Sequence, residues 1–282
     1  MPSPQSSSAN DGATMSYDDV DGLRAHHVGT VLRLTLDREK TRNAIDDTML
    51  LALIDHVVAA GQDESVRVIV IGANGPNFCA GADLMARNAP TEQRPRVGSI
   101  QRRLPSLANR LIPALASTQT PIVAVVRGWA SGLGFHLAVG ADFCVASDDA
   151  RFWEPFMQRG FTPDSGAAWL IPRVVGMVRA RQLLLLGREL RGAEAAEWGL
   201  IHEAVPDTDL DGRAEALVQR LAAAPTVALG LTKWLLHSGT GLELERHLQN
   251  EALALELSSR SEDFREGLTA FREKRDPNFE GR

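Results

Sequence analysis

Two aliphatic runs constrain this chain more than any other feature. Val66-Arg67-Val68-Ile69-Val70-Ile71 and Ile122-Val123-Ala124-Val125-Val126 are short, β-branched and almost wholly apolar, and each leads into a glycine-rich segment. Strands that read as continuous apolar runs are covered on both faces, which points to a parallel sheet in an α/β protein. A third run, Val31 to Leu36, alternates and is rich in strand formers. Between it and the first lies a stretch of helical period, about Asp47 to Ala60, with Leu50, Leu51, Ile54, Val57 and Val58 apolar and Gly61 at its end. Strand, helix and strand in that order predict parallel pairing through a right-handed crossover. A fourth strand is expected at Phe143–Ala146. A long helix, bent near Pro105 and Pro113, is expected between Val97 and Ser117.

After residue 165 the pattern turns helical, with helices expected near 165–172, 177–186, 193–197, 209–223, 225–237, 241–259 and 261–274. The chain therefore reads as a tail over 1–20, rich in Ser, Asp, Pro and Gly and expected to be disordered, an α/β core over 21–205, and a helical C-terminal region over 206–282. No fixed-period repeat is evident.

Charge narrows the function. The 30 Lys and Arg against 36 Asp and Glu give a formal charge of −6, so no overall field attracts a phosphate backbone, and nucleic acid is not an expected partner. Cys79 and Cys144 form no CxxC pair and read as buried thiols. No apolar run reaches the length of a membrane span, and the first residues lack the charged and apolar regions of a secretory signal. These points give an expectation of a cytoplasmic protein without a membrane partner. The histidines show no metal spacing such as HExxH, so no metal site is expected.

Chemistry is expected at the two glycine loops, 72–84 and 127–137, because ligands of α/β sheets gather at the carboxyl ends of the strands. Glycine lets backbone N–H groups approach a ligand closely. The second loop runs into an apolar helical stretch, so the N–H groups near Leu133 would sit at a helix N-terminus, where negative charge is favoured.

Five segments, in order, resemble the crotonase (enoyl-CoA hydratase/isomerase) superfamily. They are Leu36-Asp37-Arg38-Glu39-Lys40-Thr41-Arg42-Asn43-Ala44, Ala80-Gly81-Ala82-Asp83-Leu84, the loop Gly128 to Gly134, Ala193 to Ile201, and the tail Thr269 to Phe279. The resemblance implies a crotonase-like spiral of ββα/βαβ units with a helical C-terminal region, assembled as a homotrimer or a dimer of trimers. It implies an acyl-CoA thioester whose carbonyl sits between the backbone N–H groups of Ala82 and Leu133. Fixed donors there would stabilise the charge of a thioester enolate. It places the CoA near Lys40, Arg42, Ala44, Ala80, Asp83 and Leu84, with Lys274 and Phe279 contributed by the same or a neighbouring subunit. CoA enters as part of the substrate, so no separate cofactor is expected. On residue type alone, Lys40, Arg42 and Lys274 read as solvated surface charges.

The resemblance is broken at the acid/base positions. The two glutamates of the family's hydratases fall on His136 and Phe156. Asp164, in Thr162-Pro163-Asp164-Ser165-Gly166, instead resembles the catalytic aspartate of the isomerase and dehalogenase branches. The reading is proton transfer that moves the double bond of an enoyl-CoA, with Asp164 as acid/base and His136 as a second catalytic candidate. Leu133 narrows the acyl channel, whose walls are expected from Phe135, Trp153 and Phe156, with Leu84 and Met85. Plainer readings stand beside these: Asp164 as a helix N-cap, His136 as a core histidine, Glu154 as a channel-wall or surface carboxylate, and Arg173 in a structural ion pair. The alternatives for function are a hydratase using His136 with Asp164, an acyl-CoA-binding protein without catalysis, and a CoA-thioester hydrolase or C–C-cleaving enzyme.

Overall fold

The computed structural model describes residues 15–83 and 96–282, apart from the side chain of Thr240. The elements are β1 (Leu23–Val28), β2 (Val31–Leu36), α1 (Asp47–Ala60), β3 (Val68–Ala73), α2 (Ser99–Arg103), α3 (Leu111–Ser117), β4 (Ile122–Val126), β5 (Trp129–Ser131), α4 (Leu133–Gly140), β6 (Phe143–Ser147) and β7 (Arg151–Trp153). They continue with α5 (Ala167–Leu184), β8 (Leu190–Arg191), α6 (Gly192–Glu197), β9 (Glu203–Val205), α7 (Asp207–Ala222), α8 (Thr226–Ser238), α9 (Leu244–Ser258) and α10 (Glu262–Glu273).

One sheet runs in the order β1-β2-β3-β4-β6-β9 and a small second one in the order β5-β7-β8. The crossover predicted from strand, helix and strand is present: β2 and β3 are parallel, with Leu34 opposite Ile71, and β3 and β4 continue the pattern. Helix α1 spans the expected residues because Asp46 caps it, accepting from Met49 N at 2.9 Å. The expected long helix between 97 and 117 is divided into α2, two 3-10 turns and α3. Pro105 lies in the first of those turns and Pro113 in the first turn of α3.

The strands with few residues are the ones the sequence pattern does not reveal. β5, β7, β8 and β9 span two or three residues each, too short for alternation to register. No strand is expected over residues 23–28, yet β1 pairs antiparallel with β2 through a turn at Gly29-Thr30. Part of the stretch expected as a tail, 1–20, is among the described residues. Tyr17 donates its hydroxyl to Asp63 at 2.9 Å and packs edge-on against His27 and His56.

Alternation along β2 to β4 sorts side chains onto two faces. Leu32, Leu34, Leu36, Ile69, Ile71, Ile122 and Ala124 join the main core with α1, α3 and α4. Val31, Val68, Val70 and Val123 face the other way and are covered by Val218 and Leu221 of α7. Helix α7 is thus the second layer of the α/β unit. The expected boundary at 205/206 marks a change in chain pattern and not in packing, because an apolar sheet face requires cover.

Candidate active site

One backbone bridge joins the two glycine loops, and a second joins the first of them to the segment before α1. Cys79 pairs in parallel with Ala130, its N–H donating to Trp129 O at 2.7 Å and its carbonyl accepting from Ser131 N at 2.9 Å. Ile45 pairs with Ala82: Ile45 N donates to Gly81 O and Asp83 N to Ile45 O, both at 2.8 Å. A parallel bridge uses the groups on either side of the central residue, so the Ala82 N–H points away from Ile45. Leu133 opens α4, and its N–H has no intrahelical acceptor.

The loops meet because glycine permits it. A Cβ on Gly134 would lie 2.6 Å from both Cys79 O and Cys79 Cβ. A Cβ on Gly81, whose φ is +101°, would lie 2.9 Å from Ser131 O and 3.7 Å from Leu133 N. Two free amides from separate loops are thereby held side by side over a buried floor. Such a pair suits an oxygen that gains negative charge.

A cavity of about 50 Å³ opens beside these amides. Ala80, Ala82, Gly132, Leu133, Pro155, Phe156, Arg159, Phe161, Asp164 and Ser165 border it. Asp164 is half-buried and does not cap α5. Gly166 occupies the cap position without a side-chain bond, and Asp164 Oδ1 instead accepts from Ser165 Oγ at 2.8 Å. Ser165 and Gly166 both have positive φ, at +52° and +93°, and this turn delivers Asp164 to the cavity. A non-glycine residue at positive φ is a local cost retained where the surroundings enforce it.

His136 does not border the cavity. It lies one turn beyond Leu133, fully buried, with its ring stacked on Phe156 at 6.0 Å and 7°. Its Nε2 is 2.9 Å from Glu154 Oε1, in ion-pair contact. Burial opposes protonation of the imidazole, but Glu154 and then Asp164 outweigh it and hold His136 above its ordinary value. Burial pushes the Glu154 carboxyl up, Asp164 adds to this, and His136 works against it. The surface reading of Glu154 is corrected: it is 1% exposed.

Two of the three expected channel walls are elsewhere. Phe135 is two residues past Leu133, on another side of the helix, and packs edge-on against Phe152 in the core. Trp153 donates Nε1–H to Gly187 O at 3.1 Å and rests against Trp129. Phe156 is a wall as expected, and Phe161 is one that the sequence reading missed. Arg173 lies over the Trp169 ring and donates to its carbonyl, in place of the expected ion pair.

The first motif loop docks on the same site. Ala80 N donates to Arg42 O at 2.9 Å, so Lys40, Arg42 and Ala44 sit beside Ala80, with Lys40 and Arg42 exposed. The Asp83 carboxylate is nearly buried and faces Arg38, 3.3 Å away. Leu84 and Met85 lie outside the described residues. Asn43, unmarked in the sequence reading, organises this corner. Its carbonyl oxygen accepts from Arg38 N, and its amide donates to Asn74 O and Asn77 O. Its positive φ of 56° is the available signal, since Asn tolerates that region.

The tail lies at the other end of the sheet. Arg67, just before β3, donates to Phe279 O at 3.2 Å and also holds Thr226 and Ala224. The glycine loop leaves the opposite end of this six-residue strand, about 20 Å away at the usual rise. Phe279 therefore does not join Lys40 and Ala80 within one chain, and Lys274 is exposed just past the end of α10. A larger cleft of about 340 Å³ lies on the α7 face, away from the paired amides. Its arginines are already engaged, Arg33 with Glu215 and Arg127 with Asp207 and Asp211. Among the described residues, no group of side chains could hold a metal ion, and no helix is long and apolar enough to cross a membrane.

Comparison with known proteins agrees with this geometry. The chain is 38% identical over 262 residues to the 1,2-epoxyphenylacetyl-CoA isomerase of Escherichia coli K12, covering 92% of this chain and 98% of that one. It is 32% identical to the 2,3-dehydroadipyl-CoA hydratase of the same organism, covering 89% and 96%. The crystal structure of an enoyl-CoA hydratase from Bacillus anthracis superposes with a TM-score of 0.85 at 28% identity, covering 93% of this chain and all of that one. The profile of the family described as enoyl-CoA hydratase/isomerase matches residues 27–282. With paired amides, a bordering carboxylate and this match over nearly the whole chain, the protein belongs to the enoyl-CoA hydratase/isomerase family of acyl-CoA enzymes, with the crotonase fold.

Proposed function

We propose that this protein moves the double bond of an enoyl-CoA, with Asp164 as the acid/base and the N–H groups of Ala82 and Leu133 holding the thioester oxygen. The observation that carries this reading is that Asp164 borders the same cavity as both amides and caps no helix. The Asp164 carboxylate takes a proton from C2 of a 3-enoyl thioester. The electron pair moves onto the thioester oxygen, where the two amides stabilise it, and Asp164 returns the proton at C4 to give the 2-enoyl product. One carboxylate suffices, which suits a site where Phe156 and His136 stand at the positions of the family's hydratase glutamates.

CoA is assigned to the rim formed by Lys40, Arg42, Ala44, Ala80 and Asp83, and to Leu84, which lies outside the described residues. Phe279 can reach it only from a second copy of the chain, given its place at the far end of β3, and Lys274 is assigned to the same rim. A homotrimer or dimer of trimers is the assembly proposed. It is supported by exposed apolar side chains on α9 and α10, among them Leu244, Leu248, Phe264, Leu268 and Phe271.

Hydration is the second reading, favoured by the additional acid/base pair His136–Glu154 close to the site. A panel of 2-enoyl- and 3-enoyl-CoA thioesters in deuterated water separates the two. Isomerisation places deuterium at C2 or C4 without added oxygen, and Asp164→Asn lowers kcat by about 10²- to 10⁴-fold. A 3-hydroxyacyl product would replace this reading with hydration. Release of free CoA thiol would replace it with thioester hydrolysis, and a cleaved acyl chain still carried as its CoA thioester would replace it with C–C cleavage. Acyl-CoA binding without turnover would leave a binding protein.

A further inference from the structure

Burying two ionisable groups together is costly, and the cost is recovered only when geometry and hydrogen bonding are good. The pair His136–Glu154 does not meet that condition. Both side chains are inaccessible, they share a single contact at 2.9 Å, and His136 Nδ1 and Glu154 Oε2 have no hydrogen-bond partner among the described residues. Replacing such a pair by apolar residues is often neutral or stabilising, so its presence needs another reason.

Its position supplies one. Glu154 immediately precedes Pro155 and Phe156, which border the cavity, and His136 stacks behind Phe156. Asp164 borders the same cavity. We propose that Glu154 and His136 form a positioning dyad behind the Phe156 wall that keeps Asp164 the single uncompensated carboxylate facing the substrate. This rests on the reading of Asp164 as the acid/base.

The physical argument concerns charge balance. Two carboxylates in one desolvated site do not both ionise freely. A buried Glu154 alone would compete with Asp164 for the negative charge. Paired with His136 and sharing one proton, it carries no net charge and sets no competing charge beside Asp164. The electrostatic influence of Asp164 on both members agrees with this arrangement. The other polar groups around the cavity are few. Arg159 borders it with its guanidinium 6.0 Å from the Trp153 ring, Ser165 is bonded to Asp164, and Asp83, next to Ala82, is paired with Arg38.

The test combines two measurements on the full-length protein. The first is the acid limb of the kcat/KM profile for isomerisation. In His136→Gln the unpaired Glu154 should move that limb to higher pH by about one unit, a roughly tenfold loss at pH values below it. Adding Glu154→Gln in the same chain should move the limb back towards wild type. A dyad that only packs the interior would lower thermal stability in both variants and leave the limb in place, and this would overturn the proposal. The second measurement is the NMR titration of the His136 imidazole, which needs no turnover. It should fall in Glu154→Gln and, by less, in Asp164→Asn. A His136 titration unmoved by Asp164→Asn would overturn the dyad even in an active isomerase. A panel without turnover would defeat the isomerase reading and leave the titration to decide the dyad.

Discussion

Gly134→Ala tests the seam between the two loops. The added methyl would lie 2.6 Å from the Cys79 carbonyl oxygen and from Cys79 Cβ, and 2.8 Å from Sγ. None of these atoms is the free end of a flexible chain. Cys79 is held on both sides by its bridge to Ala130, and Gly81 N donates to its sulfur at 3.3 Å. The strain must therefore be relieved by parting the loops. Overpacking of this kind costs about 1–3 kcal/mol, or about 2–4 °C of Tm per kcal/mol for a domain of this order of size. Parting the loops also separates the Ala82 and Leu133 amides. Misplacing one such donor costs about 10²- to 10³-fold in kcat. Gly212→Ala is the matched control. Gly212 is exposed within α7 and nothing lies within 4 Å of its added methyl, so the same chemical change should raise stability by about 0.5–1 kcal/mol. Thermal unfolding and isomerase kinetics on both variants decide the matter. A Gly134→Ala protein with the wild-type Tm, and with kcat within twofold of wild type, would refute the claim that this contact holds the two amides together.

Three further predictions follow from buried or tethered groups. Lys233 is nearly buried and donates to Asp142 at 2.6 Å and Thr120 O at 3.2 Å, fastening α8 to the core, so Lys233→Ala should cost about 3 kcal/mol in denaturant unfolding. Burial pushes the Cys79 thiol up to about 12 and the Cys144 thiol up as well, so neither should react with a thiol reagent at pH 8 until the protein unfolds. Glu266 accepts from Arg275 and from Asn278 N, and these bonds hold its carboxyl down at about 2. Its folded value lies below its unfolded one, so its hold on the tail is complete above the ordinary carboxylate range and is lost as pH falls towards 2. Hydrogen exchange at the Asn278 amide should accelerate over that window in wild type and be fast throughout in Glu266→Gln.

Local pattern made much of the fold legible. The aliphatic runs at Val66 and Ile122 announce a sheet covered on both faces, and α1 is readable because its apolar period and terminal glycine agree. The short strands β5, β7, β8 and β9 were not legible, since two or three residues carry no period. Asp164 was legible only through its motif. As a Pro-Asp-Ser-Gly sequence it reads equally well as a helix cap, and the positive φ at Ser165 and Gly166 is what removes that role.

The sequence by itself determined the family, the order of the core elements and the two glycine loops, because these depend on residue type and near-neighbour spacing. Only the tertiary structure decided which side chains meet. Phe135 turns into the core and Trp153 packs half-buried against Trp129 and Gly187, while Phe161 comes to the cavity, because helix phase and strand face set side-chain direction. Phe279 lies at the far end of β3 because Arg67 and Asp263 tie the tail there. Glu154, two residues from the position where a hydratase carries its glutamate, faces His136 from another element. Separation along the chain gives no measure of that distance, which the packing of β7 and its following turn against α4 alone determines.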